Sequence, residues 1–408
     1  MQPEERLSGQ DRPGLPSTHY LDNRIYTDPA IFKRERESIF AKIWKFVCHE
    51  TELSDRGDFR TLTVAERPLI VVRGQDNQIR TFFNVCVHRG ARLLREPAGT
   101  LVDDHIQCFY HLWSYNSRGQ CTGIAQPKGY QASGLQPDHV HLREVRTETL
   151  FGLVFVCLDE ETEPLEDFLG PDIVESLRVP FGSADLEVFH FHRAEMTTNW
   201  KMFSETNQEG YHELLHVMNR KTSLAQKDYR ERRWNSHHNG HLTFDQAVIG
   251  YQNLNLGSRE AGTLPGMLPN GHVVVDLFPD VMLNCRSTVV RIDSLTPLEP
   301  GKTMLECRGL GRKTDTPEER SQRIRQHNQV WGPSGRNLPE DIWAVETQWQ
   351  NIVTGASRYS IIAREEDWGP MDDATLRSFY DAWGRRIGCH AHDIDAPWLA
   401  EAPSEFQP

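Results

Sequence analysis

The chain has 408 residues, 38% of them hydrophobic, which is long enough for about two or three domains with real cores. Its formal net charge of −13 argues against a nucleic-acid or anionic-membrane partner, because neither would be attracted. Without a secretory start or a long apolar run, and with only 8 scattered cysteines, the sequence predicts a soluble cytoplasmic protein and no disulfide scaffold.

The first predicted element is an amphipathic helix that begins near residue 28. Asp28 suits the N-cap and Pro29 the first helical position. Apolar residues then recur at helical spacing as far as Trp44. We therefore expect residues 1–44 to form an N-terminal arm and a helix that packs on the catalytic domain.

A cysteine–histidine motif follows in a region of short predicted strands. The chain reads Cys86-x-His88, then 19 residues, then Cys108-x-x-His111. Two thiolates and two imidazoles in this order suit a Rieske [2Fe–2S] centre, in which the cysteines hold one iron and the histidines the other. Structural zinc is the alternative, but zinc motifs usually pair cysteine with cysteine and histidine with histidine. The motif and strands predict a small antiparallel β domain over 45–157, with the ligands on loops.

Beyond a charged linker the pattern becomes mixed. Helices are predicted at 199–218, 338–352 and 372–387, and another begins at a capping box of Thr316 and Glu319. Antiparallel strands are predicted at 273–277, 281–285, 288–293 and 304–310, with a hairpin turn around Pro300. The predicted fold class is α+β, and residues 158–408 form a catalytic domain in which helices cover an antiparallel sheet.

A second metal site is indicated by His212 and His216. Four residues apart, they would share one face of a helix. Two imidazoles and one carboxylate form a facial triad that leaves coordination positions open and suits Fe(II). Such a histidine pair alone is more often a packing pair, but its position after the Cys-His motif favours iron.

At this point the sequence resembles the catalytic (alpha) subunit of the Rieske non-haem iron oxygenases, in particular the aromatic-ring-hydroxylating type. The resemblance rests on the two Cys-His pairs, Asn199-Trp200-Lys201, Tyr211-His212-x₃-His216, and Gly332-Pro333-Ser334-Gly335 followed by Glu340-Asp341. It implies a helix-grip sheet, and electrons from NAD(P)H through a separate reductase, with or without a ferredoxin. It also implies a homotrimer or an α₃β₃ assembly with a small β subunit, because in the family the cluster and iron of one subunit are too far apart for fast transfer.

The resemblance further implies roles for single residues. The third iron ligand is placed at Asp341, with Glu340 as the alternative. Glu209 stands where an aspartate is usual, and its carboxylate would bridge His111 of one protomer and an iron-ligand histidine of the next. Thr206 stands where an asparagine is usual. Some members that act on quaternary amines look similar at Glu209.

Three functions therefore remain open. The first is O₂-dependent hydroxylation of an aromatic, carboxylated substrate, to a cis-dihydrodiol or a monohydroxylated product. The second is a monooxygenase or N-demethylase acting on a quaternary amine, which Glu209 favours. The third is a Rieske electron carrier without oxygenase activity, against which the complete triad argues. No Gly-x-Gly-x-x-Gly fingerprint occurs, so NAD(P)H should bind elsewhere.

Other polar groups are weaker candidates. The groups 237–241 and 389–392 contain histidines that could bind a metal, but a polar loop and a solvated tail are the simpler interpretations. Arg286 and Arg291 could pair with a substrate carboxylate, although ordinary ion pairs are the more common role. We expect the substrate pocket to come from 202–207, 240–256 and 331–345.

Overall fold

The computed structural model describes residues 11–183, 185–249, 261–365 and 369–394. They form two compact units, a smaller one from residues 40–165 and a larger one from the described parts of 1–39 and 166–408. Antiparallel sheets run through both units and the larger one also carries long helices, so the predicted α+β class is confirmed. Within the described ranges no helix is long and apolar enough to cross a membrane.

The N-terminal segment belongs to the larger unit. It contains β1 (Tyr20–Asp22), α1 (Arg24–Thr27) and α2 (Pro29–Glu35), followed by a π-helical turn at Arg36–Phe40. Asp28 accepts a hydrogen bond from the amide of Ala30, so the predicted helix start is confirmed. At the other end of α2, the fully buried Glu35 accepts hydrogen bonds from Lys201 and two tryptophans. A buried carboxylate with three donors holds α2 in place.

The smaller unit contains two antiparallel sheets. Its strands are β2 (Lys45–His49), β3 (Asp58–Val64), β4 (Arg67–Arg73), β5 (Ile79–Phe83), β6 (Ala98–Thr100), β7 (Ile106–Gln107), β8 (Ser114–Tyr115), β9 (Cys121–Gly123), β10 (Glu144–Leu150) and β11 (Leu153–Cys157). The large sheet has the order β2-β11-β10-β5-β4-β3-β6 and the small one β7-β8-β9. Side chains alternate along β4, so Ile70 and Val72 pack into the core that contains Cys86, while Leu69 and Val71 pack into a second core.

The larger unit is built on one seven-stranded sheet of order β12-β18-β17-β16-β15-β14-β13. Its elements are α3 (Leu165–Leu169), α4 (Pro171–Phe181), β12 (Leu186–Met196), α5 (Trp200–Gln208), α6 (Val217–Lys221), α7 (Lys227–Arg230), β13 (Trp234–Ser236), β14 (Leu242–Val248), β15 (Gly271–Leu277), β16 (Val281–Arg286), β17 (Val289–Glu299), β18 (Lys302–Arg312), α8 (Pro317–Trp331), α9 (Leu338–Ile352), β19 (Tyr359–Ile361) and α10 (Ala374–Ile387). The Thr316 capping box and the hairpin that pairs Glu299 with Lys302 are confirmed.

The single helix predicted at 199–218 is wrong. Helix α5 ends at Gln208, a 3₁₀ turn covers Tyr211–Leu214, and α6 begins only at Val217. The interruption is Glu209, whose backbone is extended (φ −140°, ψ 146°) and whose carboxylate accepts the amides of the next turn. A side chain that takes up backbone amides in this way competes with the helix and ends it.

Candidate metal centres and substrate cavity

The two Cys-His loops of the smaller unit share one backbone pattern. In each loop the cysteine amide, of Cys86 or Cys108, donates to the carbonyl five residues later. Each cysteine carbonyl accepts from the amide four residues later, Gly90 or Leu112, and these two residues are left-handed, with φ of 76° and 60°. The repeated turn presents one thiol and one imidazole from each loop on the same side of the unit.

The two cysteines and the two histidines differ in exposure. Cys86 and Cys108 are buried, whereas His88 and His111 are partly exposed and their ring centroids are 4.6 Å apart. His88 stacks on Trp113 with centroids 4.6 Å apart and an interplanar angle of 11°, which fixes the ring. Thiols on the inside and imidazoles on the outside fit a Rieske cluster, in which each pair holds a different iron.

Electrostatics at these side chains also fit a metal cluster. Burial, aided by the neighbouring Cys108, raises the pKa of the Cys86 thiol. Burial, together with the charges of His111 and Arg89, lowers the pKa of His88. Metal binding needs a thiolate and a neutral imidazole. The lowered pKa keeps His88 neutral, as a ligand must be, whereas the buried Cys86 thiolate would be stabilised by a bound cation.

Tyr115 is predicted to tune the potential of a cluster held here. Its hydroxyl lies 3.4 Å from Cys86 Sγ, and hydrogen bonds to cluster sulfurs raise the reduction potential. We expect Tyr115→Phe to lower the midpoint by roughly 40 mV, the one-electron equivalent of a hydrogen bond worth ~1 kcal/mol. Spectroelectrochemical titration measures the shift. Tyr130→Phe is the control, because that ring packs edge-on against Trp113. An unchanged midpoint in Tyr115→Phe would show that this hydroxyl does not tune the cluster.

In the larger unit His212, His216 and Asp341 converge. One ligand atom from each lies within 4.8 Å of the others, and among the described residues this is the only group of at least three such side chains. Asp341 Oδ1 lies 3.1 Å from His216 Nε2 and 3.9 Å from His212 Nε2. His216 Nε2 and Asp341 Oδ1 are buried facing each other, and neither atom has another hydrogen-bond partner in the described part of the chain. A cation bound between them would satisfy both atoms, and two imidazoles with one carboxylate match the Fe(II) facial triad.

Each histidine of this group is oriented by a contact on its far side. His212 Nδ1 donates to the main-chain carbonyl of Glu209 at 2.7 Å, and His216 Nδ1 donates to the Glu340 carboxylate at 2.7 Å. Both rings therefore present Nε2 to the metal position, as outer contacts commonly arrange. Burial opposes protonation of His216, but Asp341 and Glu340 outweigh it and raise the pKa. Glu340 thus lies behind His216 and not among the converging atoms.

Glu340 is therefore expected to strengthen iron binding through His216. Glu340→Gln keeps the shape but offers a weaker acceptor, so we expect roughly 10–100-fold weaker Fe(II) affinity. Competition with a ferrous chelator, followed by metal analysis, measures it. Glu346→Gln on the same helix is the control, because Glu346 accepts from the amide of Thr197 instead. Equal affinities in the Glu340 variant and the wild type would show that this contact has no effect on the metal.

Glu209 lies beside the metal position but turns its carboxylate away from it. The carboxylate pairs with Arg364 at 3.1 Å and accepts the amides of Tyr211 and His212. Burial raises its pKa, opposed by the charges of His212 and Arg364. Its nearer oxygen is 3.7 Å from His212 Nδ1, which donates to the Glu209 carbonyl. Glu209 therefore contacts the imidazole ring of His212 through its main-chain carbonyl and not through its carboxylate.

His212 and His216 of this group line a cavity with a solvent-accessible volume of about 60 Å³. The regions expected from the sequence contribute Thr206, Asn207, Phe244, Ile249, Trp331 and Asn337 to its walls. The predicted stretch 250–256 lies outside the described residues. A further wall is formed by β15, β16 and β17, which the sequence did not predict as part of the pocket. Only Arg286 and Arg291 on this wall are candidates from the sequence, as possible partners of a substrate carboxylate.

That sheet wall is polar and cationic. The register sets His272 opposite Arg286 and Asn284 opposite Arg291. Cross-strand partners and alternate positions share one face, so all four side chains lie on the cavity side. Arg291 is buried, pairs with Asp293, and its guanidinium carbon lies 3.2 Å from the Trp331 ring centroid. It combines the ordinary ion-pair role with a place in the cavity wall.

The weaker histidine candidates have structural roles in the described chain. His241 is fully buried, accepts from the amide of Phe278 at 3.0 Å and donates to the carbonyl of Phe168 at 3.1 Å. Burial lowers its pKa to about 3. His390 and His392 stack with centroids 5.3 Å apart, and neither belongs to a group of metal-binding side chains among the described residues.

Comparison with known proteins agrees with this architecture. Residues 43–137 match the Rieske [2Fe-2S] domain, and residues 183–388 match the catalytic domain of the ring hydroxylating alpha subunit. The chain is 44% identical over 381 residues (93% of this chain, 96% of the relative) to the alpha subunit of 2-aminobenzenesulfonate 2,3-dioxygenase from Alcaligenes sp.. It is 39% identical over 401 residues (96% of each) to the alpha subunit of the methanesulfonate monooxygenase hydroxylase from Methylosulfonomonas methylovora.

Solved structures show the same fold at low sequence identity. Naphthalene 1,2-dioxygenase from Rhodococcus sp. has a TM-score of 0.77 at 20% identity, covering 94% of this chain and 95% of that one. A quaternary ammonium Rieske monooxygenase has a TM-score of 0.74 at 22% identity, covering 90% and 98%. Such enzymes carry a Rieske cluster and a mononuclear iron and receive electrons from a separate reductase or ferredoxin. The chain belongs to the Rieske-type ring-hydroxylating oxygenases, as a catalytic alpha subunit.

Proposed function

We propose that this alpha subunit hydroxylates a small aromatic sulfonate. The observation that carries the proposal is the cavity itself, because Arg286 and Arg291 lie on one wall and His212 and His216 on another. Guanidinium groups bind anionic oxygens through paired hydrogen bonds, so this wall suits an acidic substrate. Two of the relatives compared above are named for sulfonates, which favours a sulfonate over a carboxylate.

We further propose the ligand sets. Cys86, His88, Cys108 and His111 hold the cluster, and His212, His216 and Asp341 hold the mononuclear iron. When bound, the cluster supplies electrons singly and the iron supplies the activation of O₂. The chain supplies orientation: the arginine wall fixes the anion, and Phe244, Ile249, Val274 and Met282 provide apolar contacts that exclude water from the ring.

A head-to-tail homotrimer is proposed as the working assembly, with or without a small β subunit. Two sets of exposed apolar side chains support it. One set surrounds the cluster loops (Val87, Phe109, Tyr110, Leu112) and the other lies on or near the iron-binding segments (Tyr211, Leu214, Val217, Trp343). Large exposed apolar side chains commonly mark interfaces, and two different surfaces that fit each other close into a ring. In that ring Glu209 would meet His111 of the neighbouring copy.

A cytoplasmic location is proposed on the state of the cysteines. All eight are unpaired, and seven of them are buried. Free thiols are usual in reducing compartments, where reduced nicotinamide donors are also available.

Single-turnover chemistry tests the function without a known reductase. The purified enzyme is reduced, freed of reductant, and mixed with O₂ and one candidate substrate: 2-aminobenzenesulfonate, benzenesulfonate, benzoate, methanesulfonate or glycine betaine. We expect an arenesulfonate to accelerate cluster oxidation and to yield a hydroxylated product. Acceleration by betaine alone would contradict the proposal, as would oxidation at one rate with every compound.

An alkanesulfonate is the second candidate, favoured by the 39% identical methanesulfonate relative. The two candidates differ in oxygen stoichiometry. Under ¹⁸O₂ an aromatic ring that is dihydroxylated retains two labelled oxygens, whereas an alkyl carbon retains one. A quaternary amine fits this cavity less well, because cation sites are usually built from aromatic faces or carboxylates and not from an arginine wall.

A further inference from the structure

Three side chains form a continuous hydrogen-bonded line along the cavity wall. Arg232 Nη1 lies 3.0 Å from His272 Nδ1, and His272 Nε2 lies 3.0 Å from Asn284 Oδ1. Arg232 is held from behind, because its Nε donates to the carbonyl of Asp245 and its guanidinium carbon lies 3.6 Å from the Phe244 ring centroid. The line therefore begins at a fixed cation and ends at an amide in the cavity.

The chemistry of the three groups gives the line one direction. A guanidinium only donates, so His272 Nδ1 accepts and its ring proton lies on Nε2. That N–H needs an acceptor, which assigns the carbonyl oxygen of Asn284 to the histidine and leaves the NH₂ group for the cavity. Burial and the charges of Arg232 and Arg286 lower the pKa of His272 well below its usual value, so the ring stays neutral.

Donors without partners gather at the end of this line. Asn284 is half-buried, its Oδ1 accepts from His272, and its Nδ2 makes no hydrogen bond within the described ranges. Arg291 Nη1 and Trp331 Nε1 are buried and likewise lack partners in the described part of the chain. All three residues line the cavity that contains the iron-binding histidines. A buried donor without a partner is unfavourable, and a ligand that accepts from it removes the penalty.

We infer that Asn284, Arg291 and Trp331 form an oxyanion subsite for the sulfonate group of the substrate, and that Arg232 and His272 hold Asn284 as a donor. The inference rests on the function proposed above and names the groups that would recognise the sulfonate of the substrate. A sulfonate has three equivalent accepting oxygens for the three donors, whereas a carboxylate has two. The NH₂ group of Asn284 is a hydrogen-bond donor, and a quaternary ammonium group has no acceptor for it.

Asn284→Asp tests the subsite with little change of shape. The aspartate keeps an oxygen for His272 but replaces the donating NH₂ with a second acceptor. We expect the dissociation constant of benzenesulfonate to rise roughly 10–100-fold, measured by calorimetry on the anaerobic holoenzyme. Trp331→Phe removes the indole N–H while keeping an aromatic ring beside Arg291, and it should weaken binding several-fold. Asn270→Asp is the matched control, because Asn270 lines an adjoining cavity and not this wall. The cluster spectrum reports folding in each variant.

The outcomes separate the subsite from the proposed function. If the wild type binds benzenesulfonate and both Asn284→Asp and Trp331→Phe bind it equally tightly, the subsite is overturned and the function stands. If Asn270→Asp weakens binding as much as Asn284→Asp, a long-range charge effect replaces the subsite. A wild type that binds benzoate as tightly as benzenesulfonate contradicts the match of three donors to three oxygens. A wild type that binds no sulfonate overturns the proposed function and the subsite with it.

Discussion

Asp341→Ala is expected to abolish substrate-dependent oxygen consumption and to remove the mononuclear iron, while leaving the cluster in place. Asp341 contributes the only carboxylate oxygen among the converging atoms, and a ferrous ion left with two neutral imidazoles loses both a ligand and its charge balance. Metal analysis should therefore fall from three irons per chain towards the two of the [2Fe–2S] cluster. The Rieske EPR signal should remain, because Cys86 and His88 belong to the other unit.

Two further variants make this result specific. His212→Ala should behave like Asp341→Ala, since it removes another of the three converging side chains. Glu346→Ala, on the same helix as Asp341, should keep all three irons, because its carboxylate contacts the amide of Thr197. Full iron content and activity in Asp341→Ala would contradict the assignment and return Glu340 to consideration as the ligand.

The candidate metal-binding residues could be predicted from the sequence because the patterns that indicate them are local. Cys86 and His88 are two residues apart, and the backbone pattern of their loop recurs at Cys108. Helix α9, which carries Asp341, has the predicted bounds, because its amphipathic pattern and Pro339 at its start lie within the helix itself. Short-range patterns of this kind need no knowledge of the tertiary structure.

The backbone path between His212 and His216 could not be predicted from the sequence. Four-residue spacing predicted one helical face, but His212 lies in a 3₁₀ turn and His216 has the extended backbone of an N-cap residue (φ −76°, ψ 112°). Helix α5 ends because the Glu209 carboxylate takes up two amides, and a glutamate at this position looks in sequence like any helical residue. The two imidazole rings are brought together by the turn and its tertiary contacts. The four-residue spacing therefore does not reflect a shared helical face.

The cavity wall shows a second limit of prediction from the sequence. Arg232, His272 and Asn284 are separated by 40 and 12 residues, and only the pairing of β15 with β16 brings the last two together. The edge strand β12 was also missed, since much of its length, from Glu187 to Glu195, is partly or fully exposed and carries His, Arg and Glu. Register is set by the whole sheet and cannot be read from one strand.

Glu209→Gln is expected to slow electron delivery without removing either metal. The amide keeps an oxygen that can accept the backbone hydrogen bonds of Tyr211 and His212, so the turn should hold. It loses the negative charge, which would make Glu209 a strong acceptor for the N–H of His111 in the neighbouring copy. We expect the reduced enzyme, mixed with substrate and O₂, to oxidise its cluster about 100-fold more slowly, while iron content and benzenesulfonate binding stay unchanged. Stopped-flow absorbance of the cluster measures the rate.

Glu213→Gln separates this effect from a general loss of charge near the iron. Glu213 is adjacent to His212, but its carboxylate accepts from Asn219, Ser223 and the hydroxyl of Tyr229. Its variant should oxidise the cluster at the wild-type rate. Equal slowing in both variants would assign the effect to local electrostatics. A normal rate in Glu209→Gln would remove the Glu209 carboxylate from the electron path.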